Sequence, residues 1–309
     1  MQPILLFPGQ GSQMPGMGRD VAEAHSEAMN VWKKAESISG LGLREIFWEG
    51  DEAAMSDTRA LQVALTVVNC NLWAQMAGRV QPLGAAGHSL GEFSALAAAG
   101  ILPLDDVLAI TSLRGRLMAE ADPDGKGGMC AIVKMAEEQV QALVHEAATE
   151  SGELLITANF NTPAQFVISG TTKAIALATE KAKAAKGRAI PLKVSGAFHS
   201  PLMAEANAEL APMLDKAHWA NGKFPVYCNA TGQPVQDADS ARANMLKQMV
   251  SPVRWIECVR AQYAAGARLW LELGPKAVLG KMVAPCADAQ EDIRVELVSN
   301  EEEIRAFSL

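Results

Sequence analysis

The chain has 309 residues, of which 49% are apolar and 20% charged, a composition that excludes a disordered protein and calls for one large domain with an insertion or two domains. A net charge of −8 opposes a phosphate backbone and so excludes nucleic acid as an expected partner. The five cysteines (Cys70, Cys130, Cys228, Cys258, Cys286) are odd in number and far apart, with no CxxC pair, which argues against a disulfide framework or zinc site and for a reducing compartment.

The N-terminus, MQPILLFPGQGSQ, has no basic leader and only a short apolar run, so it is not read as a signal peptide. Ile4 to Phe7 predicts a buried strand ended by Pro8-Gly9. Helical patterns follow over 20–38 and 59–77. The charge-free stretch from Ala60 to Gly78 contains Gln62, Thr66, Asn69, Asn71 and Gln75, polar groups too costly for lipid, so no membrane span is expected. Leu83 to His88 is small and apolar, fit for a second strand, and Leu90 to Ala99 predicts a helix stopped by Gly100. Pro103 and the acids Asp105-Asp106 open a further helix reaching about Glu120.

At Asp122 to Gly128, DPDGKGG reads as a turn-rich linker. Beyond it the pattern predicts a strand at Met129–Met135, a helix at Glu137–Ala148, strands at Leu154–Phe160 and Gln165–Gly170, a helix at Thr172–Lys186 and a strand at Arg188–Ser195. That β-α-β-β-α-β order is ferredoxin-like. Residues 125–195 carry a net charge of +2, against −10 for the remainder. Lys181, Lys183, Lys186, Arg188 and Lys193 form either a solvated face or a docking surface for an acidic partner. Later strands are expected at Phe224–Ala230, Arg268–Gly274 and around Glu296–Ser299, with helices at Pro201–Ala217 and Arg254–Ala265. The expected fold is α/β: a hydrolase-like, mostly parallel sheet with helices on both faces, plus an inserted ferredoxin-like small domain. The expected boundaries are 1–125 and 196–309 for the large domain and 126–195 for the insert. No helix shows a long apolar seam, so a monomer is expected.

Gly87-His88-Ser89-Leu90-Gly91 fits G-x-S-x-G between a strand and a helix, an arrangement that exposes a nucleophile on a strained turn. The Leu90 N–H would then face a developing oxyanion. A serine needs a base. Of the five histidines, His25 and His145 read as surface residues, His88 points away from its neighbour and His218 sits at a helix end. His199, in the loop SGAFHSPLM, is the best candidate, the alternative being a packed or capping histidine. Gly9-Gln10-Gly11 is either a tight turn or the source of a second oxyanion donor, the Gln10 N–H. Arg114 flanks the apolar stripe Ile110, Leu113, Leu117 and is read either as a structural ion pair or as a clamp for a substrate carboxylate.

FPGQGSQ, GHSLGE, RGRLM, GAFHS and ELGPKAVL, in this order across nearly the whole chain, resemble the malonyl-CoA:acyl-carrier-protein transacylases, acyltransferases of fatty acid synthesis. The resemblance implies that Ser89 carries the malonyl group as an ester and that His199 is its base. It implies that Arg114 holds the malonyl carboxylate and that the N–H groups of Gln10 and Leu90 form the oxyanion hole. The Gln248 main-chain carbonyl would orient the histidine, giving a Ser-His dyad. Phe198, Asn159 and Gln62 would border the acyl-pantetheine pocket, Phe198 as the bulky residue that goes with malonyl. The family's T-x-x-x-Q-P survives as Thr58 and Gln62, with Val63 where proline is usual. Malonyl-CoA and an acyl carrier protein with its phosphopantetheine are the implied partners, with no bound cofactor and a cytoplasmic location. Other readings are a stand-alone acyltransferase of a polyketide pathway, the transferase subunit of a malonate decarboxylase, a serine hydrolase or thioesterase on the same fold, and an inactive scaffold. Arg114 argues against the hydrolase for neutral acyl groups, and the intact set Ser89, His199 and Arg114 argues against the scaffold.

Overall fold

The computed structural model describes residues 1–288 and 292–308. In chain order the strands are β1 (Ile4–Phe7), β2 (Gly84–Gly87), β3 (Gly127–Val133), β4 (Leu155–Thr162), β5 (Gln165–Thr171), β6 (Arg188–Pro191), β7 (Val226–Tyr227), β8 (Pro234–Val235), β9 (Leu269–Leu273) and β10 (Arg294–Val298). The helices are α1 (Arg19–Ala24), α2 (Ser26–Ser39), α3 (Glu52–Met55), α4 (Thr58–Met76), α5 (Gly91–Ala99), α6 (Leu104–Glu120), α7 (Glu137–Ser151), α8 (Thr172–Ala184), α9 (Ala204–Lys216), α10 (Ala238–Gln248), α11 (Trp255–Ala264), α12 (Gly280–Ala287) and α13 (Glu301–Ala306). A π turn at Glu45–Glu49 and a 3₁₀ turn at Pro201–Met203 complete the set.

The large sheet has the order β10-β9-β1-β2-β7-β8. Its pairs are parallel except β7 with the short edge strand β8. The sheet's centre is β1, whose side chains alternate between two cores. Leu5 and Phe7 join α2, α4, α5 and α6 on one face. Ile4 and Leu6 join α11 and α12 on the other. A strand buried on both faces reads as an unbroken apolar run, which is why ILLF does not alternate with polar residues.

The second sheet is antiparallel, order β4-β5-β3-β6, with α7 and α8 between its strands in sequence and packed against it. Its residues Cys130, Ile132, Phe160 and Phe166 share the apolar core under β1 with Trp255 and Trp270. The second sheet is also tied by backbone to the segment just before α11: Phe160 N–H donates to Val253 O (2.9 Å) and Val253 N–H to Ala158 O (2.8 Å).

Several elements differ from expectation. The helix over 20–38 breaks at His25, which is extended (φ −130°) between α1 and α2. The first hairpin strand of the second sheet runs on through Asn161 and Thr162, leaving the turn to Pro163-Ala164. The strand expected at Arg188–Ser195 stops at Pro191; Leu192 N–H still reaches Met129 O (3.0 Å), but 193–195 leave the sheet. The strand expected at Phe224–Ala230 shrinks to Val226–Tyr227 because the chain turns at Cys228, whose carbonyl accepts from Gly232 N–H at 2.8 Å.

Candidate active site

Strands β1 and β2 are parallel neighbours, so the loops leaving their carboxyl ends meet. Close packing there demands glycine. A Cβ on Gly9 would lie 2.4 Å from the His88 carbonyl oxygen, and one on Gly91 would lie 1.9 Å from that of Phe7. One on Gly87 would lie 1.9 Å from the Gly91 carbonyl carbon. Between these glycines Ser89 is held at φ +51°, a left-handed conformation unfavourable for a side chain and typical of a functional turn. Asn229 braces it: Ser89 N–H donates to Asn229 Oδ1 (2.7 Å), and Asn229 Nδ2 donates to the Gly87 carbonyl (2.8 Å).

His199 Nε2 lies 2.7 Å from Ser89 Oγ. Its Nδ1 faces two carbonyls, Gln248 O at 3.2 Å and Ser251 O at 3.1 Å. Carbonyls only accept, so Nδ1 carries the proton and Nε2 presents its lone pair to the serine hydroxyl. Burial pushes the His199 pKa down to about 3, helped by the charges of Arg114 and His88 and opposed by the two carbonyls. The ring is therefore neutral when it meets Ser89.

Arg114 on α6 is fully buried. Its Nη1 donates to Gln62 Oε1 at 2.5 Å, and its Nη2 donates to Ser89 Oγ (3.1 Å) and Gln248 Oε1 (3.2 Å). The guanidinium lies 5.7 Å from the centre of the Phe93 ring. No carboxylate touches it among the described residues, and its Nε has no acceptor. Burial lowers its pKa to about 10, opposed by the nearby Glu92 charge, so it stays cationic at neutral pH. A buried guanidinium faced only by neutral acceptors favours an anionic partner.

Ser89 and His199 border a cavity of about 170 Å³ together with Gln10, His88, Asn159 and Phe198. Neither the Gln10 nor the Leu90 N–H finds an acceptor among the described residues. A wider groove of about 720 Å³ shares Gln10, Leu192 and Val194 with this cavity and carries Lys193 and Lys276. Of the expected site residues, Gln10, Ser89, Asn159, Phe198 and His199 border this cavity, whereas Leu90, Arg114 and Gln248 do not; Arg114 meets it through its contact with Ser89 Oγ. Gln62 does not border the cavity; it lies behind Arg114 and holds it.

The other histidines fall elsewhere. His25 pairs with Glu301 (2.8 Å), His218 with Asp106 (3.0 Å), and His145 is exposed. Within the basic cluster Lys181 is paired with Glu146 and Glu150, while Lys183, Lys186, Arg188 and Lys193 remain exposed.

Four contributors escaped the sequence reading: Glu92, Asn229, Ser251 and Asn161, whose Oδ1 lies 2.8 Å from His88 Nε2. Only Glu92 had a local signal, being the one acid in the apolar helix GEFSALAAA. It is fully buried, with its pKa pushed up to about 7 by burial against the pull of Gln248, Asn229 and Arg114.

The acyl transferase domain family matches this chain over residues 4–301. The chain belongs to that family. It is 38% identical over 281 residues to a malonyl CoA-acyl carrier protein transacylase of Bacillus subtilis, covering 90% of this chain and 88% of that one. Among solved structures, an acyl carrier protein S-malonyltransferase from Vibrio cholerae superimposes with a TM-score of 0.91 at 33% identity, over 99% of both chains. A malonyl-transacylase solved in complex with its type II PKS acyl-carrier protein superimposes at 0.92 and 32% identity, over 99% of this chain and 98% of that one.

Proposed function

We propose that this acyltransferase moves a malonyl group from malonyl-CoA to the phosphopantetheine thiol of an acyl carrier protein, through a malonyl ester on Ser89, in support of fatty acid synthesis. The observation that carries the reading is the double contact at Ser89 Oγ, with a neutral imidazole at 2.7 Å and a buried guanidinium at 3.1 Å that lacks a carboxylate. A plain serine hydrolase needs the first and has no use for the second.

The chemistry follows from the contacts. Ser89 Oγ attacks the thioester carbonyl carbon as its proton passes to His199 Nε2. The oxygen that gains charge meets the Gln10 and Leu90 N–H groups, which have no competing acceptor. The tetrahedral species collapses by breaking the C–S bond, and the departing CoA sulfur takes the proton back from His199. The carrier's thiol then gives its proton to His199 and attacks the ester carbonyl, and Ser89 leaves reprotonated. Throughout, Arg114 grips the distal carboxylate, while Phe198 and Asn159 border the acyl cavity. The groove carrying Lys193 and Lys276 suits the phosphate-bearing arm of either thioester.

Residues 126–195 are read as a domain inserted between the two segments 1–125 and 196–309, so that the cavity lies at their junction. A cytoplasmic monomer is the accompanying reading. Its compartment is supported by five buried free thiols; among the described residues no helix is long and apolar enough to cross a membrane.

The test is an intact-protein mass spectrum after brief mixing with malonyl-CoA alone. A malonyl adduct is expected on the wild-type chain and not on Ser89→Ala. An adduct that persists in Ser89→Ala refutes the assignment.

A further inference from the structure

Glu92 takes no part in the chemistry above, yet it sits at the head of the hydrogen bonds that hold the site. It accepts from the Asn229 N–H at 3.2 Å and from Gln248 Nε2 at 2.9 Å. Gln248 Nε2 also donates to the Ser89 carbonyl at 2.8 Å, so both of its N–H groups are used. Its Oε1 therefore turns to Arg114 Nη2. Both Glu92 oxygens are taken by donors, the Asn229 N–H on one and Gln248 Nε2 on the other, so Glu92 fixes which end of the Gln248 amide faces the guanidinium.

The geometry points to Glu92 as a positioning residue for acyl selectivity: through the orientation of the Gln248 side chain it holds Arg114 where the substrate carboxylate must bind. This rests on Ser89 as the acyl acceptor and malonyl-CoA as the donor.

The isosteric amide Glu92→Gln breaks the direction of the chain. If its oxygen stays on the Asn229 N–H, its NH₂ confronts the Gln248 NH₂. Gln248 must then flip, which sets its NH₂ against the Arg114 cation and its oxygen against the Ser89 carbonyl. If instead its oxygen takes the Gln248 NH₂, its own NH₂ confronts the Asn229 N–H. Neither arrangement satisfies all the buried groups, and Asn229 is the brace of the Ser89 turn.

The experiment measures Ser89 acylation kcat/KM with malonyl-CoA and with acetyl-CoA in wild type, Glu92→Gln, Gln248→Leu and the double variant. Thermal melts run alongside. Positioning through Gln248 predicts that the malonyl-to-acetyl ratio falls about tenfold or more in each single variant, the scale of one misplaced charge-assisted hydrogen bond. It predicts further that the double variant is no worse than Gln248→Leu. Equal losses for both substrates, or an unchanged ratio, overturn the inference, as do additive losses in the double variant. Should Glu92→Gln fail to fold, an unchanged ratio in Gln248→Leu still overturns the inference, because the proposed route runs through that side chain. A wild-type chain that is not acylated by malonyl-CoA would refute the underlying function, whereas acylation at an unchanged ratio in the variants refutes only the role of Glu92.

Discussion

Replacing Arg114 with alanine separates the contact the structure gives this side chain from the carboxylate grip proposed for it. Its Nη2 supports Ser89 Oγ, a contact that every acyl donor shares, whereas the grip on a distal carboxylate serves malonyl alone. Arg114 is fully buried, so a carboxylate bound to it is out of water and solvent screening does not discount the interaction. Two charge-assisted hydrogen bonds, at roughly 1.5–3 kcal/mol each, come to about 3–6 kcal/mol. At about 1.4 kcal/mol per tenfold, Arg114→Ala should lower malonyl acylation relative to acetyl by roughly 10²- to 10⁴-fold. The lost support of Ser89 slows both donors and cancels in the ratio. Quenched-flow acylation read by intact mass, with malonyl-CoA and acetyl-CoA in parallel, gives that ratio directly. A ratio within a few fold of wild type, with both rates reduced, would refute the assignment of Arg114 to the carboxylate and leave it only the support of the serine.

Two further outcomes concern stability. The native His199 pKa of about 3 lies below the ordinary 6.5, so between these values the unfolded chain binds a proton that the native chain does not. The His199 contribution to stability therefore falls as pH drops below about 6.5, while Glu92, its pKa raised to about 7, acts in the opposite sense in wild type and variant alike; His199→Gln should lose about 2 kcal/mol less than wild type between pH 6.5 and 4.5, read from urea midpoints, and equal losses would contradict a buried neutral ring. Glu272, buried in β9, accepts from the N–H groups of Val278, Leu279 and Gly280 at the start of α12. Glu272→Ala should cost about 2–4 kcal/mol and several degrees of Tm by calorimetry, with the acylation rate at 25 °C unchanged, and an unaltered Tm would show those N–H groups to be satisfied otherwise.

The parts of the site legible in sequence are those whose geometry is enforced locally. The elbow glycines are required by contacts under 2.5 Å with the backbone beside them, so the spacing G-x-S-x-G itself reports the turn. The strand ILLF is legible because burial on both faces leaves no room for polar residues. Asn229 and Ser251 left no such trace. They meet Ser89 and His199 only because β7 lies beside β2 and the chain returns after α10, and an asparagine or serine in a loop is ordinary in either role. The helices α10 and α12 were missed for a different reason. The first is polar along most of its length, and the second contains Gly280 and Pro285, so neither shows a clean apolar period. The strand ending at Pro191 shows the opposite error: Leu192 N–H still bonds Met129 O, but the apolar pattern of Leu192 and Val194 runs on where the chain has already left the sheet.

Under the proposed mechanism, the charges of the site give a substrate carboxylate a part in the rate as well as in binding. His199 must become an imidazolium as Ser89 attacks, and the positive Arg114 nearby is among the causes that hold the ring neutral. A malonyl carboxylate seated on Arg114 cancels that charge at the moment the ring has to accept a proton, whereas an acetyl group leaves it standing. The same substrate feature that satisfies the buried guanidinium therefore makes the neighbouring base stronger. Under the proposed mechanism, selectivity gained in this way appears in the acylation rate constant of the bound donor, with discrimination at the transition state as well as in the complex that precedes it.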